Sequence, residues 1–119
     1  MSRRIHTKSA PTACGADNHI HQLFVSGTQW VQADLTNLAG APLATGDPFG
    51  YAFSSQLVVY KGTNNDIDQL SGNGTQWAVA DLSMMAGAPP SAGDPFAYVF
   101  GNQVVVYRGT DGDIHLLHP

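Results

Sequence analysis

Repeated four-stranded antiparallel units, an all-β fold, are predicted by three features of this chain. The sequence repeats at a spacing of 47 residues. Each repeat holds β-branched runs bounded by Gly, Asn, Asp and Pro, which read as short strands and tight turns. No segment carries the 3.6-residue apolar period of an amphipathic helix. The repeat carries Gly27-Thr28-Gln29-Trp30 onto Gly74-Thr75-Gln76-Trp77, and Asp34-Leu35 onto Asp81-Leu82. It also carries Ala39-Gly40-Ala41-Pro42 onto Ala86-Gly87-Ala88-Pro89, Gly46-Asp47-Pro48-Phe49 onto Gly93-Asp94-Pro95-Phe96, and Val58-Val59-Tyr60 onto Val105-Val106-Tyr107. Self-similarity at this period points to a radial or linear array, whose units bury their faces against one another.

Within a unit the strands follow in order. Residues 102–109 form a β-branched run, and Asp111-Gly112 is a hairpin signal because both positions tolerate positive φ. Residues 113–117 return, with counterparts at Asp66-Ile67-Asp68-Gln69-Leu70 and His19-Ile20-His21-Gln22-Leu23. A tryptophan strand follows at 29–35 and 76–82. Ala/Gly/Pro-rich loops at 36–48 and 83–95 then lead to short strands at 49–53 and 96–100. Met84-Met85 could begin a helical turn, which the Gly and Pro after it stop.

Four antiparallel strands per unit describe a propeller blade, with the long loop crossing from the outer strand of one blade to the inner strand of the next. The prolines of that loop fix an extended path and remove unpaired donors. On this reading 1–13 is a divergent N-terminal segment and 14–119 the repeat region. The latter comprises a partial blade at 14–48, a full blade at 49–82 and a partial blade at 83–119. The two ends are complementary partial blades, and an isolated arc would leave apolar faces in water. A homo-oligomeric ring is therefore expected, of six blades from three chains or eight from four. A piece of a longer propeller gene would give the same pattern.

Composition narrows the function. Only 12% of residues are charged and the net charge is −4, so there is no basic patch to neutralise phosphates and nucleic acid is excluded as a partner. No apolar run is long enough to cross a bilayer. The N-terminus lacks the apolar core of a secretory signal, so a soluble protein is expected, cytoplasmic or released without a signal. Cys14 is the single cysteine, which rules out an internal disulfide and permits a reducing compartment. The chain contains no glutamate, so one usual partner of glycosidase carboxylate pairs is missing, and no Ser/His/Asp ordering stands out. Catalysis is not expected, and no cofactor is called for.

The string W-x3-DL-x3-AGAP-x3-GDP-x2-Y, followed by VVYRGTDGDIHLL, resembles the repeat of Photorhabdus-type fucose-binding β-propeller lectins. The resemblance spans 14–117. Single-chain members of that family carry seven blades, whereas this chain has about two repeats. The resemblance implies non-catalytic carbohydrate binding, to L-fucose or related O-methylated sugars, at multivalent pockets between blades.

Several residues are candidates for such a pocket. Trp30 and Trp77 offer aromatic faces for a sugar's C–H face, but packing between blades would use them equally well. Gln29 and Gln76 beside them could donate to sugar hydroxyls. Tyr51 and Tyr98 start the inner strands, where a hydroxyl could bind sugar or satisfy backbone. Asp47 and Asp94 precede prolines and could accept two hydroxyls or shape an Asx turn. Tyr60, Tyr107 and Arg108 end the Val-rich strands, with Lys61 matching Arg108. His19 and His21 alternate on one strand and could share a metal, yet no third and fourth ligands are placed, so no metal site is expected. A structural or protein-interaction propeller without sugar binding is the alternative function.

Overall fold

The computed structural model describes residues 3–5, 12–73 and 76–119. The side chain of Cys14, most of the N-terminal segment 1–13 and the pair Gly74-Thr75 lie outside the described residues. The fold is all-β, in three antiparallel sheets. The first holds β1 (Arg3–Ile5), β2 (Thr12–Cys14), β3 (Ile20–Ser26) and β4 (Gln29–Asp34) in that order. The second holds β5 (Phe49–Ala52), β6 (Gln56–Lys61), β7 (Ile67–Gly72) and β8 (Trp77–Asp81). The third holds β9 (Phe96–Phe100), β10 (Asn102–Arg108) and β11 (Ile114–Leu117). The sequence alone gave the first repeat only its outer strands; here two short strands of the N-terminal segment pair beside them, Arg3 opposite Cys14 and Cys14 opposite Ile20.

The expected hairpins form with their residues in register. Gly109 N–H donates to the Asp113 carbonyl at 2.9 Å, and Gly112 takes φ 83° at the tip. One and two repeats earlier the same place is held by Asn65 at φ 64° and Asn18 at φ 65°. Gly and Asn occupy it because few other residues enter the left-handed region cheaply.

The helical turn that Met84-Met85 could begin forms and stops at Gly87, and the first loop, where none was expected, has its counterpart. Each loop between sheets thus opens with one turn of helix, α1 (Leu35–Ala39) and α2 (Leu82–Ala86). A five-residue helix carries too few positions for apolar periodicity to register, so its signal lies in its caps. Asp34 accepts from Asn37 N–H at 3.0 Å, and Asp81 from Met84 N–H at 2.9 Å. Gly40 and Gly87 then close the helices at φ 63° and 64°, a conformation that favours glycine. Thus Asp-Leu and Ala-Gly recur because they start and stop a helix. Inside it, the hydroxyls of Thr36 and Ser83 accept from Ile20 N–H and Ile67 N–H at 2.7 and 2.8 Å. This ties each helix to the strand beside it.

The remainder of each loop threads between neighbouring hairpins. Ala44 N–H reaches the Asn18 carbonyl, Thr45 N–H that of Lys61, and Thr63 N–H that of Leu43. One repeat on, Ser91, Ala92 and Thr110 make the matching bonds to Asn65, Arg108 and Pro90. Two apolar clusters fill the spaces between sheets. One gathers Ile20, Leu35, Val58, Tyr60, Leu70 and Trp77 between the first and second sheets. The other gathers Val59, Ile67, Ala97, Val105, Tyr107 and Leu117 between the second and third. Each repeat therefore supplies one face to each neighbour.

Candidate functional site

The two tryptophans stand at the same repeat position but have opposite fates. Trp77 is 8% exposed, whereas Trp30 is 65% exposed. Trp77 is covered by the preceding repeat, and the residue opposite it leaves the ring room. Trp77 pairs with Gly72, and the indole lies so close that a Cβ at Gly72 would fall 2.3 Å from its Cδ2. Trp30 pairs with Val25 and has no such cover from an earlier repeat among the described residues. Gly72 thus leaves room for the Trp77 indole, and Ile20, Leu35 and Ala39 of the preceding repeat cover it.

Trp30 opens onto a cleft of about 690 Å³ between the first and second sheets. Phe24 and Val25 of β3 line it on one side, and Ser54, Ser55 and Gln56 on the other. Gln22 Nε2 donates to Gln56 Oε1 across the floor, linking the two sheets. None of the described residues lining the cleft is ionisable. Ser55, Gly72 and Asn73 also border a second cleft of about 600 Å³, which extends the first toward Gln76 and Trp77. The pair forms a neutral, amphipathic groove, with hydroxyl and amide groups beside aromatic carbon.

The other candidates are dispersed. Tyr60 and Tyr107 are buried, and each hydroxyl donates at 2.7 Å to a loop carbonyl, of Pro42 and Pro89 respectively. Burial raises both phenols, and the Asp68 charge adds to the rise at Tyr60. These tyrosines hold the loops against the sheets, and their hydroxyls are not open to a ligand. Tyr51 sits half-buried in a network between the second and third sheets. It donates to Gln103 Oε1 at 3.1 Å and accepts from Gln69 Nε2 at 2.7 Å. Tyr98 lies on the outward face of the third sheet, 41% exposed. Asp94 Oδ1 accepts from Asp47 N–H at 3.1 Å, joining the Gly-Asp-Pro turns of successive repeats. Arg108 is exposed, with its guanidinium near the Ala92 carbonyl. Gln29 is exposed at the start of β4 and Gln76 borders the second cleft. Of the predicted residues, then, the groove gathers Trp30, Trp77 and Gln76. Ser54, Ser55, Asn73 and the Gln22–Gln56 pair belong to it as well, and their only sequence signal was their place in the turn and at matched repeat positions.

His19 and His21 do not converge on one point. His19 Nδ1 pairs with Asp34 at 2.8 Å, while His21 Nε2 pairs with Asp17 at 3.2 Å. Asp17, His21 and Asp34 present ligand atoms within 4.8 Å of one another, as do Asp111, Asp113 and His115. In both groups the imidazole already pairs with a carboxylate. The middle repeat has Asn64, Asp66 and Asp68 at these places, and its carboxylates face each other across to Asp81. Hydrogen bonding to Asp81 raises the Asp66 carboxyl to about 6, and burial raises Asp68 to about 6.

Among the described residues no helix is long and apolar enough to cross a membrane. Comparison with known protein-family models gives no match, and neither does comparison with curated proteins.

Proposed function

We propose that the protein is a non-catalytic carbohydrate-binding module whose three sheets are blades of a β-propeller. The observation that carries this reading is the open face of Trp30 on a cleft free of ionisable lining groups. A neutral polyhydroxyl ligand suits such a cleft, because indole stacks on apolar C–H groups while serines and amides exchange hydrogen bonds with hydroxyls. The apolar wall of Phe24, Val25 and Ala52 favours a deoxy or O-methylated sugar over a fully hydroxylated one. Single pockets of this kind bind weakly, and repetition raises the avidity.

The repetition comes from a ring of identical chains, three or four in number. Its support is the third sheet's outward face, where Phe96, Tyr98, Phe100, Ile114 and Leu116 are each more than 40% exposed. The matching face of the second sheet is the one covered by the third. Protein interaction without sugar binding is the second reading, favoured by the same apolar face.

A glycan array with fucosylated and O-methylated sugars tests the first reading. Trp30→Ala is expected to remove sugar binding while shifting the melting temperature little, since most of that ring is already in water. Failure of the folded protein to bind any glycan would overturn the reading.

A further inference from the structure

The first sheet brings two carboxylates to the imidazole of His21 from separate parts of the chain. Asp17 lies in the turn between β2 and β3, with its oxygens 3.2 and 3.3 Å from His21 Nε2. Asp34 ends β4, directly opposite His21 in the strand register. One ligand atom from each of the three lies within 4.8 Å of the others. The sequence pairs His19 with His21 and places no further ligand. In the fold His19 stands aside, with Nδ1 2.8 Å from Asp34 Oδ2, and Asp17 and Asp34 take the places left open. Each of the three side chains is itself held. Gln32 Oε1 accepts from His21 Nδ1–H at 2.9 Å, and Asp17 Oδ1 accepts from His19 N–H at 3.0 Å. Asp34 Oδ1 accepts from Asn37 N–H. Gly15 keeps the space beside them open, since a Cβ there would fall 2.6 Å from Asp17 Oδ1 and 2.9 Å from His21 Nε2.

We infer that His21, through Nε2, and the carboxylates of Asp17 and Asp34 form a zinc site that leaves one coordination position to water. With Nδ1–H donated to the Gln32 oxygen, the lone pair of a neutral imidazole sits on Nε2 and faces the Asp17 carboxylate. Either a second ring proton or a metal ion has to stand between two such acceptors. Asp34 adds a second carboxylate to the group, which a metal ion binds and a single ring proton does not bridge. Two ligand atoms bonded to zinc at about 2.1 Å with a tetrahedral angle stand roughly 3.4 Å apart. The separation of His21 Nε2 from Asp17 is close to that. A nitrogen ligand beside carboxylates suits zinc, whereas calcium takes oxygen ligands. The outer contacts match as well: a partner on the second ring nitrogen fixes the imidazole, and hydrogen bonds orient the carboxylates. Asp17 is exposed, so an ion reaches the group from solvent. The middle repeat has Asp68 in place of His21 and so offers no imidazole. Bound there, zinc would tie the turn before β3 to the end of β4, where Asp34 also caps α1.

The probe is zinc chloride, added to the untagged full chain in chelator-treated buffer and followed by titration calorimetry and thermal melt. Saturable binding and a raised melting temperature are expected, both reversed by EDTA. His21→Ala and, separately, Asp34→Asn are expected to remove that binding, with folding verified by thermal melt. Asparagine still caps α1, so Asp34→Asn loses the carboxylate without losing the helix. Gln32→Ala is expected to weaken zinc on the order of tenfold by freeing the ring. Asp111, Asp113 and His115 approach one another as closely, so His115→Ala serves as the control and is expected to leave the affinity unchanged. The inference is overturned if the folded protein binds no zinc, or if His21→Ala and Asp34→Asn bind it as tightly as the parent chain. Zinc binding that His115→Ala removes would overturn it in favour of the third repeat. These outcomes are independent of any sugar binding.

Discussion

Replacing Gly72 with valine tests whether one small residue decides the fate of Trp77. The φ of Gly72 lies outside the left-handed region, so the backbone accepts a side chain there, and only the indole stands in its way. A valine Cβ would meet Cδ2, Cε2 and Cε3 of Trp77 at 2.3–2.7 Å, so the ring must leave. The exposure of the solvent-facing Trp30, 65% against 8% for Trp77, gives the scale of the change. With roughly 200 Å² for a tryptophan side chain, that difference returns roughly 110 Å² to water. At about 25 cal/mol per Å², the loss is about 3 kcal/mol. In a domain of this size the melting temperature should fall on the order of 10 °C. The assay is thermal denaturation by circular dichroism together with tryptophan emission, which should shift to longer wavelength as the ring enters water. In a Trp77→Ala background the same substitution should cost little, because nothing remains to displace. An unchanged melting temperature and emission for Gly72→Val in the native background would refute the reasoning.

Three further outcomes are expected. Tyr60→Phe should cost about 1–2 kcal/mol in urea unfolding, since the Pro42 carbonyl loses its donor in a buried place; the same change at Tyr107 should cost a similar amount. Asp34→Ala should lower the urea midpoint more than Asp81→Ala. Both lose a helix cap worth about 1 kcal/mol, but Asp34 also pairs with His19, whereas removing Asp81 relieves its contact with Asp66. The pH dependence follows from Asp66 and Asp68. Their folded pKa values, about 6, lie above the ordinary 3.8, so the folded state holds their protons more tightly than the unfolded chain. The stability they confer is present below about pH 4 and is lost as pH rises through about 6. Asp17 and Asp111 run the other way, held low chiefly by backbone N–H donors, and weaken the fold only below about pH 4. Unfolding midpoints should therefore be higher at pH 5 than at pH 7.5, and Asp68→Asn should remove much of that difference.

The strands, hairpins and crossing loops were legible in the sequence because their signals are local. Alternation, β-branched runs and turn residues need only a few neighbours, and the 47-residue spacing places each in a repeating frame. The two short helices were not legible by periodicity, although their caps, Asp34 and Gly40 or Asp81 and Gly87, recur in plain view. The pairing of Arg3–Ile5 and Thr12–Cys14 was not legible either, because those strands depart from the repeat.

By itself the sequence determined the all-β class, the repeat and the residues that each unit offers. Only the tertiary structure decided what those residues do. Equivalent letters, Trp30 and Trp77, became solvent-facing and core because Leu35 and Ala39 of the neighbouring repeat cover Trp77 and no such cover lies over Trp30 among the described residues, and Tyr60 and Tyr107 turned inward to hold the loops. Burial depends on what a neighbouring strand or sheet leaves room for, and that is a property of contacts between residues distant in sequence, which a repeat pattern does not encode.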